Sequence, residues 1–328
     1  MKRIASLFLA WMLMFSLTAS ALAETGYPVT VTDQLGREVT IEAEPETLVS
    51  GYYISTSLLI ALGLEDQLVG IEAKAGSRSI YKLSAPQVID LPSVGTAKEF
   101  DMEGCAALEP DLIVLPAKLQ SVIPALEELG LTVIAVNPED KALLEEAVTL
   151  LGTATNTGER AEALLAFHDE QLAPLTEALQ GVDTPSVYLA GNSAFLTVAG
   201  PAMYQNSLIE QAGGVNVAVE ITEDYWAEIS YEQLLAWNPD YIILAADAEY
   251  GVESVLQDET LQDCAAVKNG HVYQLPGDIE AWDSPVPSSI LGGMWLATVI
   301  HPDVYPTDAW TQAAAAYYET FYGFTPEF

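Results

Sequence analysis

One pattern occurs twice in the chain, as DMEGCAALEPDLIVL at residues 101–115 and as SYEQLLAWNPDYIIL at residues 230–244. In both copies a potential N-cap, an aspartate or a serine, stands two residues before a glutamate, so Glu103 and Glu232 are predicted in the first turn of a helix. A Pro-Asp pair then ends the helix, because proline cannot continue the backbone hydrogen-bond ladder, and an apolar run follows as a buried strand. The sequence therefore predicts the same helix and strand in each half of the protein.

The two glutamates occupy equivalent positions. A carboxylate in a first helical turn gains about 0.3–1 kcal/mol from the helix dipole, so capping alone would explain either glutamate. As a pair, Glu103 and Glu232 would be matched, exposed charges on two lobes. That arrangement suits docking on a two-fold symmetric partner.

Outward from this pattern, apolar strand-like runs alternate with helical periodicity. A hairpin, VTVTDQLGREVTI, opens the pattern, and the strand runs follow at residues 47–51, 111–116, 132–136, 186–191 and 272–276. Such alternation predicts parallel sheets with helices on both faces. The predicted fold is α/β, with two lobes that have central, mainly parallel sheets and are joined by one long rigid helix.

The connection between the halves has no strand signal. Residues 140–181 read as two helices interrupted near residues 152–156, and the second helix would span roughly 30 Å or more at ~1.5 Å per residue. Since no Pro/Gly/Ser-rich linker separates the halves, this helix should act as a stiff strut. The predicted units are an N-terminal lobe, a connecting helix and a C-terminal lobe, at 24–156, 157–181 and 182–328.

The first residues have the features of an export signal. Lys2 and Arg3 precede an apolar run, and Ala21-Leu22-Ala23 ends it, which favours a cleavable signal peptide at residues 1–23 over an uncleaved anchor. No Cys follows that run to accept a lipid, so we expect a protein free in the periplasm. The two cysteines, Cys105 and Cys264, are expected to be buried thiols rather than a cross-link between the halves.

The charge is strongly acidic. Without residues 1–23, which hold two bases and no acid, 47 acidic and nine basic residues remain. Such a chain should repel nucleic acid and anionic membranes. Five of the nine bases fall between residues 74 and 118. This local concentration of positive charge would attract an anion, although a single loop lysine is more often merely solvated.

Several stretches together resemble one family, the class III periplasmic substrate-binding proteins of ABC importers, which carry iron siderophores, haem and cobalamin. They are the opening hairpin, LLIALGLEDQLVGI, the repeated pattern, AVKNGHVYQLP and SSILGGMWLATVIHPDVYP, and they extend from about residue 27 to residue 306. The resemblance implies a ligand held between two lobes with only small closure. It also implies that Glu103 and Glu232 pair with arginines of the permease dimer. A monomer without a resident cofactor or metal is expected.

Ligands of open parallel sheets sit beyond the carboxyl ends of the strands, so the loops there are the candidate site. The expected ligand is a small anion or a metal chelate. In the first lobe, the candidate residues are aromatic or basic: Tyr52, Tyr53, Lys74, Arg78, Lys98 and Lys118. In the second lobe, where Lys268 is the only base, they are mostly aromatic or polar: Asn192, Trp226, Tyr250, Glu280 and Trp282. Each aromatic residue taken singly is more typical of a core than of a ligand contact. Trp226 and Trp282 are favoured as ligand contacts, because both lie in polar, turn-rich loops that follow strands.

Other functions remain open at this stage. The three histidines lie in a helix, a strand run and a helix end, which is poor support for direct metal chelation. A secreted hydrolase is disfavoured because G-x-S-x-G, H-E-x-x-H and a Gly-rich phosphate loop are missing from the sequence. A small oxyanion such as molybdate or tungstate fits the basic residues as well as a chelate does. A cell-surface adhesion module with the same fold is a further alternative.

Overall fold

The computed structural model describes residues 26–223 and 225–328, so the predicted signal peptide lies outside the described residues. The first lobe joins an antiparallel hairpin to a four-stranded parallel sheet in the order β4-β3-β5-β6. Its elements are β1 (Val29–Thr32), β2 (Glu38–Ile41), β3 (Leu48–Ser50), α1 (Tyr53–Ala61), β4 (Leu68–Gly70), α2 (Ser79–Ser84), α3 (Met102–Ala107), β5 (Leu112–Pro116), α4 (Ile123–Glu128), β6 (Val133–Val136) and α5 (Lys141–Ala154).

The connecting helix is α6 (Gly158–Ala178), which at ~1.5 Å per residue is about 31 Å long. The second lobe has a six-stranded sheet in which β10, β8, β7, β11 and β12 follow one another and β9 pairs with β7. Its elements are β7 (Ser186–Ala190), β8 (Thr197–Val198), α7 (Tyr204–Gln211), β9 (Val215–Asn216), β10 (Ala227–Glu228), α8 (Tyr231–Trp237), β11 (Tyr241–Leu244), α9 (Val252–Leu256), α10 (Ala265–Asn269), β12 (Val272–Gln274), α11 (Ile290–Ile300) and α12 (Thr307–Tyr322).

The two central sheets confirm the predicted α/β class. β5 runs parallel to both β3 and β6, and β11 runs parallel to both β7 and β12. All five residues of β5 are buried, as expected for a strand that is covered on both faces. Two short strands, β8 and β10, add an antiparallel edge to the second sheet.

The repeated pattern folds into the same unit in each lobe. Asp101 caps α3 by accepting a hydrogen bond from the Gly104 amide at 2.9 Å, and Ser230 caps α8 through the Gln233 amide at 3.2 Å. Each unit then turns toward its strand through one left-handed residue, at position 109 (φ 47°) in the first lobe and position 238 (φ 46°) in the second.

The aspartate of each Pro-Asp pair ties its strand to the strand beside it. An Asp111 carboxylate oxygen accepts from the amide and the hydroxyl of Thr47, at 2.9 and 2.8 Å. In the second lobe, Asp240 accepts from the amide and the hydroxyl of Ser186, at 2.8 and 2.7 Å. Thr47 and Ser186 stand at the starts of β3 and β7, so the duplicated unit includes its neighbouring strand.

The lobes share packing around α6. This helix contacts α5 of the first lobe and both α11 and α12 of the second, and α12 also contacts α1. One hydrophobic cluster runs from Leu48 in the first sheet to Tyr317 in α12. Arg160 of α6 donates to the carbonyls of Ala61 at 2.6 Å and Phe321 at 2.7 Å. The connector is therefore packed against both lobes.

Two smaller points complete the fold. Cys105 and Cys264 are buried free thiols, each in the core of its own lobe. In the part of the chain that the structure describes, none of the helices is long and apolar enough to cross a membrane.

Candidate functional site

A cleft of about 370 Å³ lies between the lobes, at the ends of their strands. In the first lobe, β3 leads into Tyr52 and Tyr53, β5 into Lys118 and β6 into Glu139. In the second lobe, the residues after β7, β11 and β12 reach the same space. They are Asn192 after β7, Asp247 after β11, and Ala281, Asp283, Ser284 and Pro285 after β12. The cleft thus lies beyond the carboxyl ends of the strands, where parallel sheets usually bind ligands.

Two tyrosines and two cations form the first-lobe wall, which we define as Tyr52, Tyr53, Arg78 and Lys118. The tyrosine rings meet edge to face with their centroids 4.7 Å apart. The Arg78 guanidinium lies 4.3 Å from the Tyr53 ring centroid, and the Lys118 Nζ lies 4.8 Å from that of Tyr52. Each cation therefore rests against an aromatic face, an arrangement that fixes its position.

A buried carboxylate, that of Glu72, lies behind this wall in the first lobe. Glu72 accepts hydrogen bonds from the hydroxyls of Thr56, at 2.5 Å, and Tyr81, at 2.8 Å. The Tyr81 hydroxyl also lies 3.2 Å from the Tyr53 carbonyl oxygen. Burial raises the pKa of Glu72, and these hydrogen bonds together with the charge of Arg78 partly offset the rise. The network holds the backbone at Tyr53.

The second-lobe wall, which we define as Gln205, Tyr225, Trp226, Asp247 and Asp283, is aromatic and acidic. Trp226 lies across Gly191, where an added Cβ would come within 2.9 Å of the indole ring. Only glycine at position 191 lets the indole pack so closely on the backbone. Tyr225 leaves 64% of its surface exposed.

Two sets of hydrogen bonds join the lobes beside the cleft. The Tyr53 hydroxyl donates to the Ser284 hydroxyl at 2.9 Å. Ser57 of the first lobe donates to Glu280 at 2.5 Å, and Ser288 donates to the other oxygen of the same carboxylate. Burial raises the pKa of Glu280. These contacts fix the tyrosine pair relative to the second lobe.

Burial also perturbs the titrating groups that line the cleft. It raises the pKa of Asp283 to about 6, with a contribution from Asp247 of like charge. It raises the pKa of Glu139, an effect that the Lys118 charge partly opposes. Burial, followed by the influence of Tyr53 and Glu139, raises the pKa of Tyr52, so the phenol is protonated at neutral pH.

The structure brings together six of the eleven residues proposed for the ligand: Tyr52, Tyr53, Arg78, Lys118, Asn192 and Trp226. The other five, Lys74, Lys98, Tyr250, Glu280 and Trp282, do not line this cleft. Lys74 and Lys98 are exposed on turns elsewhere in the first lobe. Their charge can act on a ligand only through solvent.

The side chains of the remaining three make contacts within the protein instead of facing the cleft. Trp282 is 1% exposed, and its indole N–H donates to the Tyr318 hydroxyl of α12 at 2.9 Å. Tyr250 packs on Phe195 and donates to the Gly191 carbonyl. Glu280 is held by its two serines, as described above. Trp282, proposed as a ligand contact, lies in the core instead of the cleft, because α12 covers the ring.

Several cleft residues were not proposed from the sequence: Glu139, Met203, Tyr204, Gln205 and Ser284 among them. Glu139 follows the apolar run at 132–136, so the rule for strand ends would have found it. Tyr204 and Gln205 begin α7, a position that the strand-end rule does not cover.

The paired glutamates are both exposed at the starts of α3 and α8. Each of these helices returns through a short turn to the strand that follows it, so its amino end lies toward the edge where that strand ends. Hydrogen bonds from its own backbone N–H and from Ser230 lower the pKa of Glu232, which is therefore charged at neutral pH. Both acids thus face the same edge of the sheets as the cleft.

The histidines lie apart from the cleft. His168 is buried in α6, His271 stacks on Tyr241 with centroids 4.5 Å apart, and the His301 Nε2 is 3.2 Å from the Gly213 carbonyl oxygen. Across residues 26–223 and 225–328, no group of three or more His, Cys, Asp or Glu side chains is arranged to hold a metal ion.

Comparison with known families decides the identity of this two-lobed arrangement. Residues 48–279 match the family described as periplasmic binding protein, which is most of the chain. The protein belongs to this family. It is a solute-binding protein of the ABC-transporter type rather than an enzyme, in agreement with the resemblance drawn from the sequence.

Relatives within the periplasmic binding proteins differ in the ligand that their names state. The molybdate-binding protein MolA of Haemophilus influenzae is 26% identical and is matched over 94% of both chains. The petrobactin-binding protein YclQ of Bacillus subtilis is 23% identical, over 86% of this chain and 93% of its own. A cobalamin-binding protein of Halobacterium salinarum is 26% identical, over 70% and 62%.

Solved structures share the fold. A periplasmic solute-binding protein from Veillonella parvula has a TM-score of 0.77 at 26% identity, over 91% of this chain and 94% of its own. The structure of MolA bound to molybdate has a TM-score of 0.79 at 21% identity, over 91% and 99%. These likenesses establish the two-lobed architecture. The ligand class has to be inferred from the residues of the cleft.

Proposed function

We propose that this periplasmic binding protein captures an anionic metal chelate in the cleft between its lobes and passes it to the permease of an ABC importer. The observation that carries the proposal is the first-lobe wall, in which two cations lie on a tyrosine pair without a carboxylate partner. The ion pairs of the described residues, for which N and O lie within 4 Å, involve neither Arg78 nor Lys118.

Arg78 supports the proposal most directly. Its Nε is buried and meets no hydrogen-bond acceptor within the described residues. A buried donor without a partner costs free energy, and an anionic oxygen in the cleft would remove that cost. A guanidinium can also hold a carboxylate or a catecholate with two parallel hydrogen bonds.

The rest of the lining favours a chelate over a bare oxyanion. Aromatic rings from both lobes line the cleft, namely Tyr52, Tyr53, Tyr204, Tyr225 and Trp226, and they offer planar apolar faces. The two bases are accompanied by three acids, so the lining is not mainly basic. A volume of about 370 Å³ is near the lower end of the ~300–1,000 Å³ typical of ligand pockets. This size suits a compact chelate, such as a small ferric siderophore, better than haem or cobalamin, which would require the lobes to part further.

A small oxyanion is the second candidate, and one observation favours it. The relative named for molybdate matches 94% of this chain. Arg78 and Lys118 would serve a tetrahedral dianion as well as a chelate, with the aromatic residues acting only as cleft walls.

The permease contact is a further part of the proposal. Glu103 and Glu232 would each pair with a cationic side chain on one half of the permease dimer. Their equivalent placement on the two lobes and their exposure support this assignment.

Calorimetry and native mass spectrometry against ferric nitrilotriacetate, ferric citrate, haem, cobalamin and molybdate test the ligand class. The preferred ligand should bind Arg78→Ala about tenfold or more weakly, because a charged hydrogen bond contributes ~1.5–3 kcal/mol. Lys98→Ala is the matched control, since it removes the same charge from an exposed turn outside the cleft. Equal losses for both variants would show that the first-lobe wall does not hold the ligand. Preference for molybdate over every chelate would favour the second candidate.

A further inference from the structure

The charges of the cleft are unevenly divided between the lobes. The first lobe supplies both cations, Arg78 and Lys118, together with one carboxylate, Glu139, whereas the second lobe supplies two carboxylates and the amide of Gln205. In the described part of the chain beyond residue 182, the one base is Lys268, which pairs with the exposed Asp263 at 2.9 Å and does not line the cleft. Among the described residues, the second lobe therefore contributes no Lys or Arg to the cleft.

Gln205 provides an acceptor without a donor. The side chain is 7% exposed, and its Nε2 donates to the Asp283 carbonyl at 2.6 Å. Because a carbonyl can only accept, this bond fixes the orientation of the amide and leaves Oε1 as the free atom. That oxygen is buried and meets no donor in the described residues, although Gln205 lines the cleft. A ligand N–H would satisfy it.

The carboxylates of the same wall have no cationic partner either. Asp283 is 6% exposed, Asp247 is exposed on the turn after β11, and neither belongs to an ion pair of the described residues. Tyr225 and Trp226 line the same space. Carboxylates beside aromatic faces are the surroundings that recognise ammonium groups, through ion pairing and cation–π attraction.

We infer that the ligand carries a protonated amine, at the opposite end from the anionic oxygens that bind its metal. The inference rests on the proposed function, since it assumes that the cleft holds the ligand. The chelating oxygens face Arg78 and Lys118. The ammonium faces the second-lobe wall, donates to the Gln205 Oε1 and offsets the charges of Asp247 and Asp283. The substrate class is thus a compact chelate with separated negative and positive ends, rather than a purely anionic one.

A pair of small ferric complexes tests this directly. In the first, Nα,Nα-bis(carboxymethyl)lysine holds the metal through its carboxylates and leaves its Nε-ammonium free. In the second, the Nε is acetylated, which removes the positive charge and adds one small acetyl group to the complex. We expect the ammonium complex to bind the wild-type protein about tenfold or more tightly than the acetylated one, as measured by calorimetry.

Two variants locate the effect. Asp247→Asn removes one charge from the second-lobe wall with almost no change in shape, and it should reduce the preference for the ammonium complex severalfold. Asp263→Asn is the control, because it removes an acidic charge from the same lobe away from the cleft, and it should keep the preference of the wild type.

The outcomes separate this inference from the proposed function. Equal binding of the two complexes, or tighter binding of the acetylated one, would overturn the inference and leave a chelate-binding cleft in place. Equal preference in wild type and Asp247→Asn would remove the assignment to the second-lobe wall. Binding of neither complex would count against the chelate-binding function itself, and with it against the inference.

Discussion

Asp283→Asn should stabilise the ligand-free protein at neutral and alkaline pH. Asp283 is 6% exposed, and burial raises the pKa of its carboxyl from 3.8 to about 6, with Asp247 adding to the rise. Above pH 6, the folded protein must therefore hold an ionised carboxylate that has no cation beside it in the described structure. An asparagine at this position cannot ionise, so it avoids that cost.

The size of the effect follows from the pKa. A rise of about two units, at ~1.4 kcal/mol per unit, corresponds to about 3 kcal/mol at high pH. Hydrogen bonding to the backbone N–H groups of Asp283 and Ala246 holds the pKa of the carboxyl below what burial alone would give, and an asparagine with a single side-chain oxygen would keep only part of that stabilisation. We therefore expect a net gain of about 1–2 kcal/mol in the free energy of unfolding.

The sign and the pH window are fixed by the direction of the shift. A carboxyl with a raised pKa in the folded state contributes stability that is fully present below about pH 4 and is lost as pH rises through about pH 6. Asp283→Asn should therefore exceed wild type in urea unfolding at about pH 8 and lose that advantage at about pH 4.

The exposed Asp263→Asn serves as the control, because it makes the same chemical change outside the core. A difference between Asp283→Asn and wild type that is the same at both pH values, or a variant less stable than wild type at about pH 8, would refute the reasoning.

Two further predictions concern the duplicated unit. Glu103→Arg combined with Glu232→Arg should leave ligand affinity within about twofold while greatly reducing uptake by vesicles that contain the permease; normal uptake by the double variant would end the docking assignment. Asp111→Ala and Asp240→Ala should each lower the free energy of unfolding by about 0.5–1.5 kcal/mol in urea titrations, because each removes exposed hydrogen bonds to the neighbouring strand; a loss in one lobe only would show that the two aspartates are not equivalent.

The sequence predicted the elements that depend on local chemistry. Each copy of the repeated pattern holds a helix N-cap, a Pro-Asp pair that ends the helix and an apolar run, all within fifteen residues. Local rules therefore predict α3, β5, α8 and β11. The tyrosine pair was found for a related reason, since Tyr52 and Tyr53 come directly after a buried strand.

The missed features depend on contacts between distant segments. Trp282 stands among polar residues, and only the arrival of α12 buries it. Lys74 and Lys98 have the right charge, but the direction in which each loop points is set by tertiary packing. Gln205 is identified by an unsatisfied oxygen, which only coordinates reveal.

The contact between α1 and α12 also bears on the order in which the chain can fold. α1 begins at Tyr53 and α12 at Thr307, so at ~5–20 residues per second the side of α1 that faces α12 stays uncovered for on the order of ten seconds or more during synthesis. The first lobe therefore cannot complete its packing while it is the only part made. The contact between α1 and α12 therefore forms only after the last helix has been made, and a chain that ended before Thr307 would leave that side of α1 uncovered.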